Sequence, residues 1–375
     1  MKKKIIGKGL LLAVLLMVLV TGLALPTCQP AKAIPRGWSG VAIADGALFL
    51  GSMEGKLVAL DSATQQRLWD DVPFTQKQSS SLGCQQGTQA VAIYGTPAVT
   101  AELVYTTGYN GKLYAINRQT GASRWVYPRE EVLDPIVGGV VVAEGKLYFG
   151  SSDGVLYALD AATGDKLWTF ASGGKIWGTP AVNGATVYIG SFDKKLYALN
   201  VADGGLKWQF ETEGAIVSTP LVYDGTVYFG SFDRYLYALN EADGQLRWKY
   251  QGGNWFWARP LVDDGIIYAA SVDGKVYALT ADKGDTVAVF DLESPVSASP
   301  VAVAGNVIIV VEAGRVYSLD AGTRQKKMLA ELGEPVYASL AASDGVIYVH
   351  SADDVLHAVN AQTGAELWSF ELESE

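Results

Sequence analysis

The chain has 375 residues, 49% of them hydrophobic and 11% aromatic, with a formal net charge of −10. An acidic surface without a segregated Lys/Arg cluster repels polyanions, which disfavours a nucleic-acid partner and leaves solubility as the simplest role of the charge. The only cysteines, Cys28 and Cys84, supply no disulfide framework, so the fold has to be held by its core.

The first 33 residues read as an export signal. "MKKK" is a basic start, Leu10 to Leu25 is almost wholly apolar, and "AKA" ends at Ala33 with the small-x-small pattern that signal peptidase requires. Cleavage after Ala33 is the expectation. "LPTC", ending at Cys28, offers lipidation as an alternative, although Thr27 weakens the lipobox, and retention of the apolar run as a membrane anchor is a third. Under each of them the domain is extracytoplasmic, and the membrane is reached only through the N-terminus. Without residues 1–33 the chain carries 24 basic and 39 acidic residues, a net charge of −15.

From residue 34 onward one unit recurs. The second residue of "LYAL" marks it at Val58, Tyr114, Tyr157, Tyr197, Tyr237, Tyr277, Tyr317 and His357, with a spacing of 40 from Tyr157 onward. Between Val58 and Tyr114 the longer spacing indicates an insertion at about 70–90. Each unit contains short β-branched or aromatic segments, such as "GTPAV", "ATVYIG", "KLYALN" and "LKWQF", separated by turn residues, which predicts four strands per repeat. Dipeptides such as Asp224-Gly225 and Asp264-Gly265 allow the positive φ of tight hairpins. After the "LYALN" strand a [DN]-x-x-[TD]-G turn recurs, its Asp or Asn able to bond its own backbone and its Gly taking the corner. One four-stranded sheet cannot cover both its faces, whereas eight arranged radially cover each other. The expectation is an all-β, eight-bladed β-propeller of four-stranded antiparallel blades over residues 34–375, monomeric.

The repeat "DGxLYALDxxTGxxxW" resembles that of the quinoprotein-like eight-bladed propellers, named for pyrroloquinoline quinone, from Trp38 to the C-terminus. The resemblance implies that the outer-strand tryptophans, Trp69, Trp125, Trp168, Trp208, Trp248 and Trp368, dock onto the neighbouring blade. Ala288 and Met328 stand at that position in the sixth and seventh repeats and put docking there in doubt. Enzymes of the family are considerably longer, with adjacent cysteines beside the quinone and a calcium site. This chain has no adjacent cysteine pair, so no quinone cofactor, and no enzyme activity, is expected.

Other catalytic patterns are weak. "GSSDG" at 150–154 matches a nucleophile elbow, but here it is a hairpin turn, with Phe192, Phe232 and Val272 in place of Ser152 in later repeats. His350 and His357 are isolated, and no metal site is predicted. Binding is then left to the face that carries the loops between blades. The residue three before the "TP" proline is Trp38, Tyr94, Val137, Trp177, Val217, Trp257, Ser297 and Tyr337 in successive repeats, and these would ring the mouth of the central channel. Tyr109, Phe192 and Phe232 on hairpin turns, and Trp255, Phe256 and Arg259 of "NWFWARP", extend the same face, as does the insertion. Aromatics with arginine are the composition of binding hot spots, though a tryptophan at an inner strand can also fill the wedge between blades. The sequence therefore points to an exported, non-catalytic scaffold for a protein partner in the cell envelope. In length, export and repeat it is similar to the lipoprotein propeller of the outer-membrane β-barrel assembly machinery. A small-ligand or carbohydrate sensor using the aromatic mouth is the alternative, and a diverged quinone enzyme a third.

Overall fold

The computed structural model describes residues 37–77 and 88–373, so the expectations for residues 1–33, including Cys28, lie outside the described residues, as does Cys84. Every regular element among the described residues is a β-strand. They form eight four-stranded antiparallel sheets at 42–73, 98–127, 141–171, 181–211, 221–251, 261–291, 301–331 and 341–371, numbered here as blades one to eight. Within the insertion, Thr75–Lys77 pairs with Thr88–Ala90 as a separate two-stranded ribbon.

Burial follows from the radial arrangement. In blade four, Thr186–Gly190 and Lys195–Asn200 are buried almost throughout, because both faces of these middle strands meet a neighbouring blade. The outer strand, Leu206–Glu211, alternates between exposed and buried positions. Core clusters accordingly lie between blades: Tyr148, Leu156 and Trp168 of blade three pack with Ile176, Val187, Ile189 and Tyr197 from the next repeat.

The outer-strand tryptophans dock as the repeat implies. Trp168 Nε1 donates to Val201 O at 3.0 Å, Trp208 Nε1 to Glu241 O at 2.9 Å and Trp248 Nε1 to Ala281 O at 3.0 Å, each acceptor lying in the turn of the next blade. Trp69 does the same with Arg118 O at 3.1 Å, and the Trp125 ring faces Gly164. Gly204, at φ +73°, lies so close to Trp168 that a Cβ would stand 2.6 Å from the ring, which accounts for glycine at that corner. Where Ala288 replaces tryptophan, the following corner is Arg324, with no ring pressed against it. In blade seven the bulge falls between Val316 and Tyr317, earlier than in the other blades, so Met328 turns out to solvent and Leu329 packs inward.

Each blade is built from contiguous residues, so the circle closes through side chains and not through an exchanged strand. Leu48, Leu50 and Leu60 pack with Tyr348, Leu356, Trp368 and Leu372. Buried His350 lies between Ser39 O at 3.1 Å and Asp354 Oδ1 at 2.9 Å, and the same oxygen accepts Met53 N at 2.9 Å. Glu373 accepts a hydrogen bond from Ser52 Oγ at 2.8 Å and pairs with Lys56.

Candidate functional site

Each loop between blades enters its inner strand as extended chain, so successive side chains point to opposite sides. In "NWFWARP" this separates Trp255, which is 45% exposed, from Phe256, which is 1% exposed. Trp257 and Arg259 then face the channel, while Ala258 is buried. Phe256 is thus a core residue and not part of the binding face. It occupies the position of Ile176, Ile216, Val296 and Val336, packs on Tyr277 at 5.7 Å and leaves no room for a Cβ on Gly230.

The eight rim residues predicted from the register do come together, lining one cavity of about 140 Å³ at the channel mouth. Their aromatics fall into two arcs. Trp38 packs edge-on against Tyr94 at 4.6 Å and lies 5.8 Å from Tyr337, and Tyr94 meets Tyr109 at 5.5 Å. On the other side Trp177 meets Phe192 at 4.7 Å, Phe192 meets Phe232 at 6.2 Å, and Phe232 stacks on Trp255 at 4.5 Å and Trp257 at 5.5 Å. Val137 and Ser297 separate the arcs.

Backbone bonds fix these positions. Phe192 N donates to Lys175 O and Phe232 N to Ala215 O, both at 2.9 Å, pinning each hairpin to the loop that precedes it. Trp177 is held by its Nε1 to Ser152 Oγ at 3.0 Å, with the Lys175 ammonium 5.6 Å above its ring. Trp38, Tyr109, Trp255 and Tyr337 are each between 41% and 45% exposed, so wedge filling does not account for them. Trp177, Phe192, Phe232, Trp257 and Tyr94 are half-buried, and burial, with Tyr109 nearby, raises the Tyr94 phenol above its ordinary range.

Two residues below each rim position lies a second ring, of which the sequence pointed to Arg259 alone: Gly40, Thr96, Gly139, Thr179, Thr219, Arg259, Ser299 and Ser339. Its signal in the sequence is the first residue of "TP" itself, a hydroxyl in most repeats. The ring is knitted by its own hydroxyls, with Gly139 N donating to Thr179 Oγ1 at 2.8 Å and Arg259 N to Ser299 Oγ at 3.1 Å. Arg259 remains exposed to the channel, and the walls around it pull its guanidinium below its ordinary range.

The aspartates in the turns between the second and third strands are engaged in structure. Asp153, Asp193, Asp233 and Asp273 accept the hydroxyls of Tyr157, Tyr197, Tyr237 and Tyr277 at 2.5–2.8 Å. Burial first, and then these carboxylates, push the four phenols well above their usual range. Ser152 Oγ donates to Pro135 O at 2.6 Å and sits in a hairpin turn, with no histidine bonded to it. His357 is enclosed by Ser351 Oγ at 3.0 Å and Glu366 Oε1 at 2.8 Å. Among the described residues no group of three or more His, Cys, Asp or Glu is placed to hold a metal ion.

Comparison with known proteins gives a consistent picture. The family model described as outer membrane protein assembly factor BamB matches residues 29–169, 212–287 and 272–375. Outer membrane protein assembly factor BamB of Kangiella koreensis is 28% identical over 134 residues, 36% of this chain and 32% of that protein. The quinohemoprotein alcohol dehydrogenase ADH-IIG of Pseudomonas putida is 35% identical over 99 residues, 24% of this chain and 13% of the enzyme. The matched segments thus span a third or less of either relative. The crystal structure of BamB from Moraxella catarrhalis aligns with a TM-score of 0.69 at 19% identity, covering 85% of this chain and 95% of that one, a likeness of fold.

Proposed function

Because the chain belongs to the family described as outer membrane protein assembly factor BamB, we propose that it is a non-catalytic scaffold of the cell envelope that holds a protein partner on its aromatic loop face. The observation that carries this is the pair of aromatic arcs around the channel mouth, in which Trp38, Tyr109, Trp255 and Tyr337 remain exposed although their neighbours pack. Large, rigid aromatics held in place before binding lose little entropy on contact, which suits a hot spot. A place in outer-membrane protein assembly is the finer form of the proposal, and it rests on the family.

Quinoprotein dehydrogenases share the repeat, so the fit of a quinone and its calcium has to be weighed. Among the described residues the channel offers one cation, Arg259, and there is no acidic cluster. The two cysteines of the sequence are far apart. This donor set does not fit a calcium-dependent quinone site, and no quinone chemistry is assigned. Purified protein supplied with pyrroloquinoline quinone and calcium is expected to gain neither quinone absorbance nor dye-reducing alcohol dehydrogenase activity; stoichiometric uptake with turnover would overturn the non-catalytic assignment.

The scaffold is tested by affinity capture from the native envelope. Trp255→Ala and Phe232→Ala are expected to weaken capture, while Asp243→Ala, in a turn on the opposite face, leaves it intact. Capture that survives both aromatic changes contradicts the proposal, and a captured glycan without protein would favour the sensor alternative.

A further inference from the structure

We propose that the waist of the central channel is a carboxylate-binding site, in which Arg259 pairs with the anion and the rim aromatics hold the apolar group that bears it. This site is independent of whether the loop face binds a protein. Thr96, Thr179, Thr219, Arg259, Ser299 and Ser339 line both the cavity under the rim and the cavity that opens on the other side, which places them at the constriction between the two. Among the described residues Arg259 is the only charged side chain in either lining.

Among the described residues its guanidinium has neither an ion pair nor a side-chain hydrogen bond; only its backbone N–H is engaged, by Ser299. The Arg259 side chain is exposed to the channel and has no acceptor among the described residues, so its planar fork is open to a carboxylate. The hydroxyls around it complement that charge. Thr179 Oγ1 and Ser299 Oγ each accept a backbone N–H, so their own O–H groups remain free to donate to an anion.

One cation in a cavity of about 140 Å³ suits a monoanion better than a dianionic phosphate. On either side the walls are apolar: Trp177 and Trp257 above, Pro220, Leu221, Pro260 and Leu261 below. A ligand that satisfies all three zones has a single carboxylate on an apolar or aromatic body. Such a group could come from a free organic acid or from the end of a peptide.

The test is a titration of the purified protein with 3-phenylpropionate and with its uncharged amide, read by calorimetry and by the fluorescence of the rim tryptophans. Saturable binding of the acid is expected, with the amide at least about tenfold weaker. Arg259→Gln is expected to reduce the acid to the level of the amide with an unchanged unfolding midpoint, while Arg259→Lys retains part of the affinity and Asp243→Ala all of it. Equal binding of acid and amide, or no saturable binding of the acid, overturns the site, and this comparison needs no variant to fold. Unaltered acid binding by Arg259→Gln overturns it as well. A peptide ending in a free phenylalanine carboxylate, set against its C-terminal amide, identifies the source: competition with 3-phenylpropionate by the free peptide alone supports a peptide end, and its failure beside acid binding supports a free acid.

Discussion

Trp255 and Phe256 are adjacent in sequence and lie on opposite sides of an extended segment, and their burial differs accordingly. Truncating the buried ring leaves a cavity in the core and costs about 3–5 kcal/mol, whereas a surface change stays within about 0.5 kcal/mol. Phe256→Ala is therefore expected to lower the denaturation midpoint clearly and Trp255→Ala hardly at all, as measured by urea unfolding. Equal losses would place Trp255 in the core. Composition alone could not separate the two, since "NWFW" reads as one aromatic run. Strand alternation separates them, and the isoleucines of the third to fifth repeats at the Phe256 position were the available clue. Arg259 was legible as part of the same run, but its isolation at the channel waist was not, because that depends on what seven other loops contribute.

Within a blade, the docking tryptophan and the second hairpin are the elements that repeat. Trp168→Ala is expected to cost about 3–5 kcal/mol, since the ring fills the joint with the next blade. In blade seven the corresponding sequence position is exposed Met328, so Met328→Ala is expected to be nearly neutral and Leu329→Ala the damaging change, as thermal unfolding would report. Spacing counted along the chain made the strands and turns legible, but it could not reveal a bulge displaced by two residues.

The second hairpins, which join the second and third strands, also set a response to alkali. Tyr148 is pushed up to about 12, chiefly by burial, and Tyr157, Tyr197, Tyr237 and Tyr277 are raised further by burial and their carboxylate partners. In the unfolded chain these phenols ionise near the ordinary value of roughly 10. Above that pH the unfolded state loses protons that the folded state retains, so the stability these groups contribute is complete below about pH 10 and declines as pH rises. Absorbance at the tyrosinate band should show these phenols ionising together with unfolding. Ionisation near pH 10 with the fold intact would contradict their burial.

At the scale of the molecule, the forty-residue period was enough to predict eight blades, because a four-stranded unit with two apolar faces has to be covered by copies of itself. How the circle closes was not legible. His350 and Asp354 stand where other repeats place mostly small residues and glycines or basic residues, and their role as a fastening between the last blade and the first appears only when residues about 300 apart are brought together. Whether a partner sits on the aromatic face is read by site-specific photocrosslinking in the native envelope. A photoreactive residue in place of Phe232, on the aromatic face, is expected to give one discrete protein adduct, while the same group in place of Asp243, on the opposite face, gives none. Adducts from position 243 with none from position 232 would put the partner on the opposite face and overturn the assignment.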